Sequence, residues 1–240
     1  MFWNQLMKKL KLCETKKLHY NKYLYKMQIR NTLGAIFRTE FQKEGPLSYA
    51  RQNLDQLTES YRRGEPLTKK TYRTQTTVPL EDYFDAKDIY TILKSASDYK
   101  IRVEPWPSFY IYSNDRSMLI SIANKIRNES TALWEPCPEN AQFLLSNSNV
   151  IIVDTPTPFP IRITLNGNTV NSDFANWLKS NRDKSRVGDK TLAIISESGY
   201  CNGLYFHIRD SKVLSLVTLL IGSNIRRIDK LVYKENIDKY

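Results

Sequence analysis

The chain contains few of the residue types on which many catalytic and metal sites depend. Its 240 residues include 2 histidines, 3 cysteines and 8 glycines. The cysteines, Cys13, Cys137 and Cys201, lie far apart and form no C-x-x-C pair. This spacing argues against a disulfide framework or a structural zinc site, and it is typical of a reducing compartment. We therefore expect a cytoplasmic protein.

Long apolar segments are also missing. No run approaches the roughly 18 apolar residues that a membrane-spanning helix requires. At the N-terminus the apolar residues precede the lysines, and the chain has no apolar core of the kind found in secretory signals. The sequence therefore predicts neither a membrane span nor a secretory signal.

Catalytic and nucleotide-binding motifs are absent as well. The chain has no G-x-x-x-x-G-K-[ST] loop, no G-x-G-x-x-G loop and no G-x-S-x-G nucleophile elbow. One of the two histidines, His207, falls in a predicted strand, where packing explains it. We predict no catalytic residue, no bound metal and no cofactor, and the sequence favours a non-enzymatic protein.

Positive charge is the most informative feature that is present. The formal net charge is +11, and residues 1–73 supply +10 of it through 16 Lys and Arg against 6 Asp and Glu. Such a local excess indicates a surface that meets phosphate, anionic lipid or an acidic protein. The alternative is a solvated basic segment that keeps the protein soluble.

Apolar spacing in this basic region predicts several helices. Trp3, Leu6, Met7 and Leu10 recur at intervals of three and four residues, which predicts a short amphipathic helix within residues 3–18. A second helix is predicted over 32–43, a third from Ser48, and a fourth after Pro79.

One strand in the same region is clear from strict alternation. Between Lys22 and Asn31, the apolar residues Tyr23, Tyr25, Met27 and Ile29 alternate with polar ones. Period two places them on opposite faces of a half-buried strand, so the polar face is available for contacts.

Two segments 95 residues apart resemble each other. Residues 109–126 align with 204–221, with identities at Tyr110/Tyr205, Asp115/Asp210, Leu119/Leu214 and Ile126/Ile221. Each segment is typical of a strand, an Asp N-cap and a helix. A further strand is predicted before each, over 99–104 and 192–196. Duplication and shared secondary structure both explain the similarity.

These elements predict an α+β fold with mixed or antiparallel sheets built from ferredoxin-like ββα repeats. We divide the chain into a basic N-terminal α/β region, 1–78, and an α+β region, 79–240. The second region holds the internal duplication, at about 99–126 and 192–221.

A group of carboxylates crowds the helix after Pro79. Asp82, Asp85 and Asp88 recur every three residues, and two such groups are sufficient for Mg²⁺, with Glu104 and Asp115 as further ligands. The alternative is that acids in the first helical turns complement the helix dipole and point to water. Asp115 itself is better explained as an N-cap.

The basic region mixes cations with tyrosines, the pairing that suits phosphates and unpaired bases. No RRM, zinc-finger or KH motif accompanies it. The predicted nucleic-acid contacts are Lys16, Lys17, Lys22, Lys26, Arg30, Arg38, Arg62, Arg63, Lys69, Lys70 and Arg73.

Our first hypothesis is a non-enzymatic protein that binds DNA or RNA through this basic third. The second is a structural or assembly protein, for example a viral one, that docks on an acidic protein partner. The third is a Mg²⁺-dependent nucleic-acid enzyme that uses the carboxylates at 81–88. The sequence leaves the oligomeric state open.

Overall fold

The computed structural model describes residues 10–42, 44–70, 75–104, 107–127 and 131–239. This part of the chain forms a mixed α+β fold with twelve strands and seven α-helices. The chain divides into two compact units. The first comprises Met1–Thr15 and His19–Ala141, and the second comprises Lys16–Leu18 and Gln142–Tyr240. Each unit contains one five-stranded sheet.

The sheet of the first unit is mixed. In spatial order its strands are β1 (Leu10–Glu14), β7 (Thr131–Glu135), β2 (Tyr25–Arg30), β6 (Ser108–Ser113) and β5 (Tyr99–Val103). The edge strand β1 runs parallel to β7, and the other neighbours are antiparallel. A separate hairpin consists of β3 (Thr68–Lys70) and β4 (Gln75–Thr77).

Helices pack on one face of this sheet. They are α1 (Ser48–Arg62), α2 (Leu80–Ser95) and α3 (Arg116–Lys125), together with short 3-10 helices at Gly34–Phe37 and Thr39–Phe41. The sheet contributes buried Met27, Ile29, Phe109, Ile111 and Leu133 to the shared core. These are alternate strand residues, so their neighbours in β2 and β6 point to the opposite face.

The second unit has its own sheet and core. In spatial order its strands are β10 (Ser185–Val187), β11 (Tyr205–Ile208), β9 (Ile161–Leu165), β12 (Ile225–Tyr233) and β8 (Val150–Val153). Its helices are α5 (Ser172–Ser180), α6 (Asp189–Ser196) and α7 (Ser211–Ile221), and α4 (Pro138–Ser146) begins before the unit boundary and ends after it. Phe174, Leu178, Ile195 and Val217 of these helices share a core with Phe206 of the sheet.

The two sheets have the same strand order. When the hairpin is left out and strands are numbered within each unit, both sheets follow the order 1-5-2-4-3. In both, the first strand is parallel to the last, and all other neighbours are antiparallel. The aligned segments 109–126 and 204–221 form β6–α3 and β11–α7, which occupy equivalent places.

Both predicted N-caps are confirmed. The Asp115 side chain accepts a hydrogen bond from the backbone N–H of Met118 at 2.9 Å, and that of Asp210 accepts one from Val213 at 2.9 Å. An oxygen at this position satisfies one of the free N–H groups in the first turn of a helix.

Two helix predictions in the basic region are wrong. Leu10–Glu14 is an edge strand, because each of its residues pairs with a residue of the parallel strand β7. Residues 3–9 of the predicted helix lie outside the described residues. The segment predicted as a second helix, 32–43, contains two short 3-10 helices, Gly34–Phe37 and Thr39–Phe41, and its last residue, 43, lies outside the described residues. A Cβ on Gly34 would lie 2.8 Å from Phe109, so the chain turns here directly against the sheet.

The strand predicted at 192–196 is also wrong. It lies in α6, where Thr191 and Ile195, four residues apart, are both buried. An apolar run of only four residues, 192–195, fits a short helix as well as a strand, which explains the error. The strand that precedes β11 in the chain and pairs with it is β10, a short edge strand.

The division predicted at 78/79 does not coincide with the boundary between the compact units, which lies after Ala141. Helix α2 begins at Leu80 and packs with α1, where the hydroxyl groups of Tyr83 and Thr58 lie 2.9 Å apart. The basic region therefore shares its core with the segment that follows it. Within the described residues, no helix is long and apolar enough to cross a bilayer.

The cap at Asp115 gives the first testable prediction. Replacing Asp115 with Ala should lower the free energy of unfolding by about 1 kcal/mol, because the Met118 N–H loses its acceptor. Asp115→Asn should preserve most of the stability that the cap contributes, since an amide oxygen can also accept the hydrogen bond at an N-cap. Urea denaturation of the two variants checks this. Equal losses in both would show that the charge, and not the cap, is responsible.

Candidate nucleic-acid interface

The face of the first sheet opposite the core carries aromatic and cationic side chains. Strand pairing places Lys26 of β2 beside Tyr112 of β6 and Trp134 of β7, and places Lys100 of β5 beside Tyr112. We call this surface the aromatic face. Its members are Tyr20, Lys26, Lys100, Arg102, Tyr110, Tyr112 and Trp134.

Lys26 lies at the centre of the aromatic face. Its Nζ lies 4.1 Å from the ring centroid of Tyr110 and 4.2 Å from that of Trp134. The two rings are 6.4 Å apart in an edge-to-face arrangement. Burial, with a further contribution from Arg102, lowers the pKa of Lys26. A cation held between two aromatic rings is attracted by their negative faces.

A tight turn adds Tyr20 to this face. Tyr20 and Asn21 have φ values of 54° and 57°, and the Lys22 N–H donates to the His19 carbonyl at 3.1 Å. Two successive left-handed residues with this hydrogen bond form a type I′ turn. The Tyr20 ring lies edge-on to Tyr112 with their centroids 4.9 Å apart.

The rim of the aromatic face is positively charged. Lys100 and Arg102 are exposed, and Lys100 Nζ lies 4.4 Å from the Tyr20 ring centroid. Arg102 also forms an ion pair with Glu104 at 2.7 Å. Burial, followed by the neighbouring Tyr20, raises the pKa of the Tyr112 hydroxyl. The face thus combines phosphate ligands with π surfaces.

The polar side of β2 carries two of the nucleic-acid contacts predicted from the sequence, Lys26 and the exposed Arg30. Lys22 precedes the strand and pairs with Asp98 at 2.6 Å. Lys16 and Lys17 belong to the second unit, where Lys16 pairs with Asp154.

The remaining predicted contacts are distributed over other elements. Arg38, Arg62 and Arg63 each pair with a nearby glutamate, at 3.1, 2.9 and 3.2 Å. Lys69, in the β3–β4 hairpin, is partly buried, and burial followed by the nearby Arg38 lowers its pKa. Lys70 is exposed on the same hairpin. Arg73 lies outside the described residues. Within the first unit, the described cations of this set therefore lie on several different elements.

Most of the aromatic face comes from residues that the sequence analysis did not select. Tyr110 and Tyr112 alternate with buried Phe109 and Ile111, and this pattern was visible in the sequence. Lys100 and Arg102 alternate in the same way along β5. No comparable signal identified Trp134, because β7 was not predicted as a strand.

The carboxylates at 81–88 are held by protein donors. Asp82 accepts hydrogen bonds from the Thr32 N–H at 2.9 Å and its hydroxyl at 2.6 Å. Asp85 accepts from the backbone N–H of Arg127 at 3.0 Å and from its guanidinium at 2.9 Å. The Arg127 guanidinium also reaches Asp88 at 3.2 Å. The expectation that these acids point to water is wrong for Asp82 and Asp85, which are buried.

The other two proposed Mg²⁺ ligands also have partners within the protein. Glu104 forms an ion pair with Arg102, and Asp115 is the N-cap of α3. Among the described residues, no three His, Cys, Asp or Glu side chains lie close enough together to hold a metal ion. The hydrogen bonds of Asp82 and Asp85 therefore hold α2 against the segments that contain Thr32 and Arg127.

This arrangement predicts unequal roles for Asp85 and Asp88. Asp85→Ala should lower the free energy of unfolding by about 1–3 kcal/mol, because it leaves the Arg127 N–H without its acceptor. Asp88→Ala is the matched control and should cost less than about 0.5 kcal/mol, since Arg127 keeps Asp85. Chemical denaturation measures both. Similar losses would contradict the role given to Asp85.

Comparisons with known proteins were made for the whole chain. No family model, curated protein or solved structure matches it. Function therefore has to be inferred from the side chains that the two sheets display.

Proposed function

We propose that the protein binds single-stranded nucleic acid, without catalysing a reaction, through the aromatic face of the first sheet. The observation that carries this proposal is the position of Lys26 between the rings of Tyr110 and Trp134, at 4.1 and 4.2 Å. Lys100 and Arg102 at the rim supply further contacts for phosphate.

The energies of the two kinds of contact favour exchange when a strand binds. A cation over an aromatic ring contributes about 0.5–1 kcal/mol at an exposed site. A base stacked on the same ring contributes about 1–3 kcal/mol. A base therefore displaces Lys26 from the ring, and the released ammonium group binds a neighbouring phosphate.

The same chemistry distinguishes single strands from duplexes. Bases in a duplex stack on each other, so their faces are unavailable to Tyr110 and Trp134. Phosphate contacts alone would not make this distinction. An acidic protein partner, the alternative from the sequence, would need the cations but would gain little from the rings.

We also propose that each unit is a ferredoxin-like split β-α-β fold with an added edge strand, and that the two units arose by duplication. Without β1, the strands of the first sheet follow the order 4-1-3-2 of that fold, and without β8 so do those of the second. Tyr110/Tyr205 and Asp115/Asp210 are identical at equivalent positions. A shared fold alone does not establish nucleic-acid binding, so the proposal on function depends on the side chains.

Charge reversal at two different sites tests whether binding depends on the aromatic face or on positive charge in general. Lys100→Glu with Arg102→Glu should greatly weaken the binding of labelled single-stranded DNA or RNA in a fluorescence-anisotropy titration. The matched control, Arg62→Glu with Arg63→Glu, makes the same change of net charge on α1 and should have a much smaller effect. Equal effects would contradict the assigned surface.

The rings provide a second prediction. Tyr110→Ala should weaken single-strand binding by about 1–3 kcal/mol, because one base loses its stacking partner. The dependence of affinity on salt should be preserved, since it reports the number of phosphates contacted. Anisotropy titrations at low and near-physiological salt measure both quantities. Full affinity in Tyr110→Ala, or tighter binding of duplex than of single strands, would overturn the proposal.

A further inference from the structure

A pocket of about 750 Å³ lies within the second unit. The second sheet supplies Arg186 of β10, Tyr205 and His207 of β11, and Leu231 of β12 to its lining. The first turn of α6, with Lys190, forms another part of the wall. This volume falls in the range of small-molecule sites, which is about 300–1,000 Å³.

Helix α6 accounts for the pocket. The first sheet connects β5 to β6 through residues 104–107 alone, whereas residues 188–204 connect β10 to β11 and include α6. This longer connection lines the pocket together with sheet residues, whereas the first sheet has only a short link at the same place.

Two cationic side chains line this pocket, and a third lies against one of its aromatic rings. Arg186 and Lys190 are exposed residues of the lining. The Arg162 guanidinium lies 3.7 Å from the ring centroid of Tyr205, and its buried Nε has no hydrogen-bond partner. The carboxylate of Asp229, which lies beside Arg162 across the strands, is 2.6 Å from Arg227. Asp189 is the acidic member of the lining.

The N-terminus of α6 adds backbone donors. Its N-cap residue, Gly188, has no side chain that could accept hydrogen bonds from the first turn of the helix. The space beside Gly188 is open, because a Cβ atom there would have no other atom within 4 Å. The N–H groups in the first turn of a helix have no partner within the helix, and they bind anions well. These groups and the cations therefore offer a binding site for a phosphate group.

We propose that this pocket binds a nucleotide, with its phosphate at Arg186, Lys190 and the start of α6, and its base against Tyr205. The Tyr205 side chain is an exposed aromatic ring at the pocket wall. The nucleotide is either free or the 5′-phosphorylated end of a strand, since both present the same chemical groups. This inference goes beyond the proposed function and does not depend on it.

The equivalent positions of the first sheet support the proposal. His207 pairs across the strands with Arg162 and Arg186, as Tyr112 pairs with Lys26 and Lys100. Arg162 stacks on Tyr205 as Lys26 does on Tyr110. Both sheets thus place a cation against an aromatic ring at the same point.

His207 provides a built-in reporter. Burial, followed by the charges of Arg162 on β9 and Arg186 on β10, lowers the pKa of His207. Tyr205 on the same strand faces it edge-on, with ring centroids 5.5 Å apart. A bound phosphate would offset the two positive charges and raise the pKa, so nucleotide binding would be accompanied by proton uptake and would tighten as pH falls.

To test this, the full chain is titrated with adenosine 5′-monophosphate (AMP). Binding is monitored by calorimetry and by the NMR signals of the two histidines. We expect AMP to bind and adenosine to bind at least tenfold more weakly. The His207 signal should move and its pKa should rise, while His19, in the first unit, serves as an internal control. His207→Asn assigns the signals.

Matched variants identify the site. Arg186→Gln with Lys190→Gln should weaken AMP binding at least tenfold, whereas Lys179→Gln with Lys212→Gln, the same charge change at exposed positions on α5 and α7, should not. No binding of AMP, or equal binding by both double variants, would overturn the proposal. Competition by a 5′-phosphorylated oligonucleotide, but not by its unphosphorylated form, would identify a strand end as the ligand; absence of competition would identify a free nucleotide.

Lys100→Glu with Arg102→Glu keeps the two proposals apart. This variant should bind AMP normally while losing single-strand binding. Failure of single-strand binding in the native chain with AMP binding intact would therefore reject the proposed function alone.

Discussion

The structure depends on the alternation of side chains in two sheets that bury one face against helices. In β2, Met27 and Ile29 enter the core of the first unit, so Lys26 must point to the opposite side. The same constraint turns Tyr110 away from buried Phe109 and Ile111. A lysine and a tyrosine from neighbouring strands thereby meet on one face, and no loop is needed to position them.

The two sheets have the same strand order, so the alternation of side chains produces the same contact in both units. Lys26 with Tyr110 and Arg162 with Tyr205 are the same contact at equivalent positions of two units. The sheets differ in what surrounds the contact. Aromatic rings extend it in the first unit, whereas in the second unit the start of α6 and Tyr205 line the same pocket. This difference explains why we assign a polymer to the first sheet and a single nucleotide to the pocket of the second.

The sequence predicted the elements whose local signals are strong. The alternation in β2 and the capping aspartates were read correctly because each signal is contained within a few residues. Leu10–Glu14 was missed because its strand pairing depends on β7, more than a hundred residues away. The residues of the proposed surface were mostly not selected from the sequence. Charge count selected Arg62 and Arg63, at the C-terminal end of α1, whereas the register of four strands, which no local pattern reports, assembles the aromatic face.

NMR chemical-shift mapping can locate the surface on which single strands bind. Isotope-labelled protein would be titrated with a short single-stranded oligonucleotide. If strands bind on the aromatic face, the largest changes will occur in β2, β6 and β7, including the indole N–H of Trp134. Largest changes on α1 and the β3–β4 hairpin, with the Trp134 signal unmoved, would contradict binding on this face.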